Sequence, residues 1–364
     1  MKREFSVYLD LVRLLAATGV FVAHLTFPRF TGGYFSYQGK LAAEGVAAFF
    51  VLSGYVIAYV ADAKERTAKA YAISRLARIY SVALPAIALA IMVGFLSVHF
   101  GWQLNVPLYQ LRQLPKYFLL ALTFSGHLGP LQESAFGNYA FWSLDYEVWY
   151  YITFGCFIFL AGSRKYFVVA LLLLLMGPRP LFDFPMWILG VGTYQLHKRV
   201  DRTIPWASLL FFGSLALLVM YRLTGLDAAV DDWVNGAFNG WPHKSLGDSQ
   251  EFASQYLAAC LVAMSILSAG YMRLGFFEHR SVAGAITWLA SFTFTLYLTQ
   301  MSFLELLSHL FRYDSHAPLY VGCLVAATLL SVWLLGQLTE HRKQWWRKLF
   351  RIIIDSAEGV LRRA

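Results

Sequence analysis

Apolar residues along this chain gather in long blocks, and charged residues, prolines and glycines collect in the short stretches between them. A helix that crosses a bilayer needs about 20 consecutive, mainly apolar residues. Ten blocks read as such helices: 8–27, 42–60, 79–100, 139–161, 165–178, 183–197, 204–223, 252–271, 286–308 and 318–338. The fifth and sixth are short, and Gly177, Pro178, Arg179 and Pro180 divide them. Proline removes a helical donor, so these two blocks could equally form one broken hairpin that does not fully cross. Leu114 to Leu128 is apolar but brief and holds Pro115 and Lys116, which suits an interfacial or re-entrant helix. No internal repeat is evident. The expected fold is all-α: a polytopic membrane protein with about ten transmembrane helices in residues 1–338, one additional short interfacial or re-entrant helix, and a tail at 339–364.

Composition agrees. A soluble domain carries about 25% charged residues; this chain of 364 residues carries 14%, against 58% hydrophobic, too little charge to cover a water-facing surface. A soluble enzyme is thereby excluded. The 30 Lys and Arg against 21 Asp and Glu give a net charge of +9, which in a soluble protein would suggest nucleic acid. Here the basic residues fall in loops and tail, where they orient the chain in a membrane and imply no nucleic-acid partner. With ten spans, one side receives Lys2, Arg3, Lys64, Arg66, Lys69, Arg75, Arg78, Arg164, Lys165, Lys198, Arg199, Arg202, Arg273, Arg280 and the basic tail up to Arg362 and Arg363. The other side receives only Arg29, Lys40, Arg112, Lys116, Arg179, Lys244 and Arg312. Basic loops stay in the cytoplasm, so both termini are expected there. Lys2 and Arg3 before an apolar run also resemble a signal peptide, but Asp10 and Arg13 interrupt that run and favour an uncleaved first helix. The tail sets Trp345, Trp346, Leu349, Phe350 and Ile353 among cations, as expected of an amphipathic helix on the inner leaflet. Cys156, Cys260 and Cys323 lie in apolar runs and support no disulfide framework.

Ionisable groups inside spans cost several kcal/mol and are functional candidates by default. The first span holds Asp10, Arg13 and His24. Eleven residues at about 100° each return His24 to within about 20° of Arg13, roughly 16 Å further along the same helix face. The two either line one surface or snorkel to opposite interfaces. In the fourth span, Asp145 and Glu147 follow Ser143, and Glu147 is expected at a depth similar to that of His24. Such a pair is either an oriented general base or a buried ion pair joining two helices. Arg75 and Arg78, three apart at the start of the third span, are either an anion site or inner-face anchors. Ser53 and Gly54 would admit a narrow ligand or another helix backbone, and Thr293, Thr295, Tyr297, Thr299 and Gln300 make the ninth span polar enough for interhelical hydrogen bonds.

Taken in order, YLDLVRLLAATGVFVAHL near the start, GVAAFFVLSGYVIA at 45–58, SRLARIY at 74–80, WSLDYEVWYY at 142–151 and SFTFTLYLTQ at 291–300 resemble the membrane acyltransferase family 3. The resemblance implies ten spans with cytoplasmic termini in a bacterial inner membrane, and transfer of an acyl group from cytoplasmic acyl-CoA to an extracytoplasmic glycan, with no metal. It implies that His24 is the catalytic histidine, that Arg13 and Glu147 act with it, and that Arg75, Arg78 and Ser53 meet the donor. Two departures stand out: Ala47 replaces an acidic residue frequent in the family, and Gln300 replaces a histidine, so that position cannot exchange protons here. The chain is also expected to lack the extracytoplasmic esterase-like domain fused to some relatives.

Acetyl is the default group, succinyl the alternative; His24 either deprotonates the acceptor or carries the acyl group as acyl-imidazole, with Glu147 holding the imidazole. The acceptor is a hydroxyl of a surface or exported polysaccharide or its lipid-linked precursor, met from the outer side. Its contacts are assigned to Trp142, Tyr297 and Gln300, and to Trp233 and Trp241 in the loop 225–250, where interfacial anchoring explains the tryptophans equally well. Homo-oligomers and polysaccharide-assembly partners are compatible with such a protein. The rival function is a secondary transporter or lipid flippase using His24, Arg13 and Glu147 as proton and substrate site; related halves would favour it.

Overall fold

The computed structural model describes residues 2–34, 41–102, 108–200, 206–311 and 315–361. Lys40, Arg202, Arg312, Arg362 and Arg363, all counted above for orientation, lie outside the described residues. No β-strand occurs among the described residues. The helices, in order, are α1 (Arg3–His24), α2 (Pro28–Thr31), α3 (Leu41–Ala63), α4 (Ala68–Phe100), α5 (Leu108–Arg112), α6 (Leu114–Thr123), α7 (Phe141–Phe159), α8 (Arg164–Met176) and α9 (Pro178–Arg199). They continue as α10 (Ala207–Leu223), α11 (Leu226–Ala237), α12 (Trp241–Ser245), α13 (Phe252–Ala269), α14 (Arg280–Ala290), α15 (Thr293–Leu310), α16 (Pro318–Leu338) and α17 (Lys343–Leu361).

Five helical stretches are long and apolar enough to cross a bilayer: α1, α3, α4, α13 and the one beginning at Pro318. Two bent pairs reach that length together, α10 with α11 at 68° and α14 with α15 at 48°, giving up to seven crossings by length and composition. The other expected spans are helical but fall short of that measure. α8 has only 13 residues; α7 carries Asp145, Glu147 and a run of aromatic residues with polar edges; α9 carries Arg179, Asp183 and Pro185. The segment expected to be interfacial or re-entrant forms the 10-residue α6, which turns away at Phe124 in the left-handed conformation (φ 52). The loop 225–250 is itself largely helical, as α11 and α12.

A large apolar core joins α1, α3, α4, α7, α9 and α13, and a smaller one joins the C-terminal half of α1 to α15 and α16. The tightest crossing is α3 on α9. A Cβ added at Gly54 would stand 2.0 Å from the Trp187 carbonyl oxygen, and one at Gly190 2.0 Å from the Val51 carbonyl oxygen. Small residues here let two backbones meet, the packing that replaces hydrophobic drive between helices in lipid.

The tail forms the helix expected from the sequence, and it also packs on the bundle. α17 docks on α4: Lys69 Nζ meets Asp355 Oδ1 at 2.5 Å and Glu358 Oε2 at 2.8 Å, and the Tyr80 and Phe350 rings pack with centroids 5.5 Å apart. Its acidic residues, passed over in favour of its cations, supply the grip. Trp345, Ile352 and Ile353 remain exposed on the helix.

Gly54→Ala should lower the thermal midpoint of the purified protein by the equivalent of about 1–3 kcal/mol, the usual cost of overpacking. Gly192→Ala, on the same α9 with open space around it, should leave the midpoint unchanged; equal midpoints for the two variants would refute the α3–α9 contact.

Candidate functional site

α7 begins inside the bundle. Asn138 Nδ2 donates to the Leu298 carbonyl in α15 at 2.6 Å while its Oδ1 accepts from Ala140 N at 3.2 Å, and the Ser143 and Tyr297 hydroxyls meet at 2.5 Å. The next turn presents Glu147, and Tyr151, one turn further on the same face, donates its hydroxyl proton to the Glu147 carboxylate. That hydroxyl lies 3.0 Å from Ser53 Oγ, which accepts from Trp187 Nε1 at 3.1 Å. Since Tyr151 has one proton and spends it on Glu147, Ser53 must donate to Tyr151. The protons therefore run one way, from Trp187 through Ser53 and Tyr151 to the carboxylate.

Ser53, Tyr151 and Glu147 of this chain line a narrow cavity of about 70 Å³ together with Arg13, Arg78, Phe49, Phe50, Phe294 and Tyr297. Arg13, Val56, Arg78, Thr293 and Phe294 also line a second, wide chamber of about 720 Å³. The slot and the chamber thus adjoin, with the two arginines between them. The chamber carries six cationic side chains, from Arg13, Lys64, Arg75, Arg78, Lys343 and Arg347, against the carboxylates of Asp10, Glu65 and Glu340, a surplus of three positive charges. Such a cleft concentrates anions.

The arginines differ in their bonding. Arg75 is buried, and its Nη2 donates to both Glu65 oxygens at 3.0 and 3.1 Å and to Ser74 Oγ at 3.0 Å, with the Tyr71 and Tyr151 rings nearby. Arg13 Nη1 meets Asp10 Oδ1 at 3.0 Å. Arg78 is exposed and makes no ion pair or hydrogen bond among the described residues. Of the pair expected to face an anion, Arg75 is structurally satisfied and Arg78 is the one available.

His24 lies elsewhere. It ends α1, lines neither cavity, stacks on Phe27 (centroids 6.1 Å, planes 13° apart), and its buried Nδ1 has no hydrogen-bond partner among the described residues. Beside it Arg29 pairs with Glu305 at 2.6 Å. Glu147 shares its cavity with Arg13, about 16 Å back along α1 from His24. The expected equal depth of Glu147 and His24 is therefore corrected: α7 starts inside the bundle, so residues counted from its first turn sit deeper than a surface start would put them.

Among the remaining candidates, Tyr297 lines the slot. Gln300 is fully buried, its Nε2 donating weakly to the Tyr297 carbonyl at 3.5 Å and its Oε1 without a partner among the described residues. Trp142 packs edge-on against Tyr146 (5.4 Å) and Phe50 (6.5 Å) and does not line the slot. Trp233 is exposed, and Trp241 sits against Phe182; neither borders the two cavities. Three features were not anticipated. Tyr151 is the hub of the hydrogen-bond chain, visible in the sequence only as one tyrosine among several. Asp145 holds the buried His127 by its backbone N (3.1 Å) and its Nδ1 (2.8 Å), with Ser134 Oγ 3.3 Å from the other ring nitrogen. Glu340 Oε2, just before α17, accepts from Thr295 N at 3.0 Å and Thr295 Oγ1 at 2.8 Å, capping the amides left open where α15 restarts.

A family model described as an acyltransferase domain matches residues 6–337. No curated protein and no solved structure matches the chain.

The contrast between the two arginines is testable by thermal unfolding. Arg75→Ala strands the buried Glu65 carboxylate and should cost about 3–5 kcal/mol, as breaking a buried pair does. Arg78→Gln, removing an exposed side chain, should leave the midpoint within about 0.5 kcal/mol of wild type; similar losses for both would overturn the distinction.

Proposed function

From a chain that belongs to the membrane acyltransferase family 3, a multi-pass membrane protein that transfers acyl groups, we propose a transmembrane O-acyltransferase that moves an acetyl group from cytoplasmic acetyl-CoA to a hydroxyl of an extracytoplasmic glycan. The supporting observation is the join of a cation-rich chamber to a narrow, largely apolar slot at Arg13 and Arg78. Coenzyme A has that shape in chemical terms, a phosphorylated nucleotide head and a thin pantetheine arm ending in the thioester. The head docks in the chamber, with Arg78 where the two cavities adjoin. The arm runs past the Ser53–Tyr151–Glu147 chain, whose hydroxyls offer partners to its amides, toward the far end of α1. With the N-terminus in the cytoplasm, as the basic loops suggest, the chamber beside the first turns of α4 lies on the inner side and His24, ending α1, toward the outer one.

His24 is the acting base. No described residue engages its Nδ1, so in the tautomer that leaves the Nδ1 lone pair free it can take the acceptor's hydroxyl proton as that oxygen attacks the thioester carbonyl, the coenzyme thiolate leaving. Alternatively the imidazole itself takes the acyl group and passes it on. Glu147 serves the donor's path in both routes, because it borders the slot and not His24. Partner glycan contacts fall to residues beyond the slot.

In proteoliposomes given labelled acetyl-CoA on one side, label should appear on a glycan acceptor on the other. His24→Ala should lower that transfer by about 10²–10⁴-fold with an unchanged thermal midpoint. Wild-type transfer by this variant would refute the assignment, and movement of unmodified substrate would identify a transporter.

A further inference from the structure

α17 runs antiparallel to the first turns of α4. Lys343 lies within electrostatic reach of Arg78, Arg347 Nη2 donates to Ser74 Oγ at 3.3 Å, and Asp355 and Glu358 meet Lys69. As one helix advances the other retreats, which sets residues 343 and 347 opposite 78 and 74. Lys343 and Arg347 are four apart and share a helix face, as Arg75 and Arg78 do three apart on α4. All four line the wide chamber, so two basic helix faces confront each other across it.

The two faces are not equivalent in free charge. On α4 the Arg75 charge is met by Glu65, leaving Arg78. On α17, among the described residues, Lys343 reaches no carboxylate at ion-pair distance and Arg347 bonds only to a neutral hydroxyl. Three cations held around one chamber repel one another, and a ligand carrying several negative charges relieves that repulsion. Their order along the chamber is also set. Arg78 borders the slot, whereas Lys343, Arg347 and Ser74 border only the chamber, and Ser74 is about 6 Å along α4 from Arg78.

We propose that the tail helix is the second wall of the donor site and that its cations bind the donor's phosphates. Lys343, with Arg78, takes the diphosphate that lies nearer the slot. Arg347, with Ser74, takes the ribose 3′-phosphate farther out, a monoester of about −1.5 to −2 charge. The assignment rests on the acyl-CoA reading of the chamber and adds to it a part of the chain that follows the last apolar block. It makes the docked state of α17 a condition for tight donor binding: the ion pairs of Lys69 with Asp355 and Glu358 hold in place residues that have no other reason to face inward.

Equilibrium binding to the purified full-length protein tests this with two donors, acetyl-CoA and its analogue lacking the 3′-phosphate, thermal midpoints being read in parallel. Arg347→Gln should weaken acetyl-CoA about tenfold or more while leaving the analogue's affinity unchanged, and Arg347→Lys should restore most of the loss. Lys343→Gln should weaken both donors alike. If both tail variants bind both donors as wild type does while Arg78→Gln does not, the tail assignment fails and the acyl-CoA reading stands. If Arg78→Gln also binds as wild type, that reading fails with it. An equal loss of both donors in Arg347→Gln would make the tail a structural support and overturn the proposal.

Discussion

A charge inside an apolar helical bundle costs several kcal/mol unless it is paired or faces water, and in this protein the few buried charges dictate where helices start, stop and touch. Arg75 is held by Glu65, Arg13 by Asp10, Asp145 by His127, and Glu147 by the Tyr151 hydroxyl. The first and third of these pairs join segments that apolar packing alone would leave free to slide, whereas Arg13–Asp10 and Tyr151–Glu147 each lie on one face of a single helix. Glu65 sits in the turn between α3 and α4 and reaches Arg75 two turns into α4, fixing that turn at the mouth of the chamber. Asp145, in the first turns of α7, reaches back to His127 and so pins the loop that follows α6. Once those demands are met, the arginine left unpaired, Arg78, stands where the two cavities join.

The same constraint explains the broken helices. A helix that stops inside a bundle leaves amides or carbonyls without partners, and these must be satisfied locally. Between α14 and α15 the chain bends by 48°, and Glu340 supplies the missing acceptor to Thr295 while the Thr295 and Thr339 hydroxyls meet at 3.0 Å. The turn before α17 is thereby fastened to the break, which starts α17 beside Arg78. At α7, Asn138 plays the corresponding part from the other direction, bridging the Leu298 carbonyl and the Ala140 amide. The polar groups that make the ninth apolar block unusual are thus partly spent on joining helices, as the sequence allowed, and Thr293 and Tyr297 among them border the slot.

Much of this was legible before any coordinates. Block lengths and the scarcity of charge identify an all-helical membrane protein, the spacing of Arg75 and Arg78 singles that pair out as an anion site or inner-face anchors, and Ser53–Gly54 marks a close helix contact, which Gly54 and Trp187 make. Depth was not legible. Counting from the start of an apolar block places Glu147 beside His24 only if the helix starts at the membrane surface, and nothing in the residues before Phe141 says that it starts within the bundle. Nor does a sequence say which member of an arginine pair is neutralised; that depends on Glu65 curling back from a turn ten residues away. The tail was read from its cations as a membrane-surface helix because Asp355 and Glu358 look unremarkable until Lys69 is found opposite them.

Size bears on the roles proposed for the two cavities. A slot of about 70 Å³ beside a chamber of about 720 Å³ suits a thin, flexible chain better than a bulky group. One wall cannot yield, because Ser53 sits next to Gly54, where α3 rests on the α9 backbone. For the proposed transfer, the slot therefore suits a linear donor arm anchored by its charged head better than a bulky acceptor. In the acyl transfer proposed above, donor and acceptor would then approach His24 from different sides, and no moving domain would be needed to keep the acyl group from water on the donor side: the two arginines, the slot and the length of α1 between Arg13 and His24 would separate them.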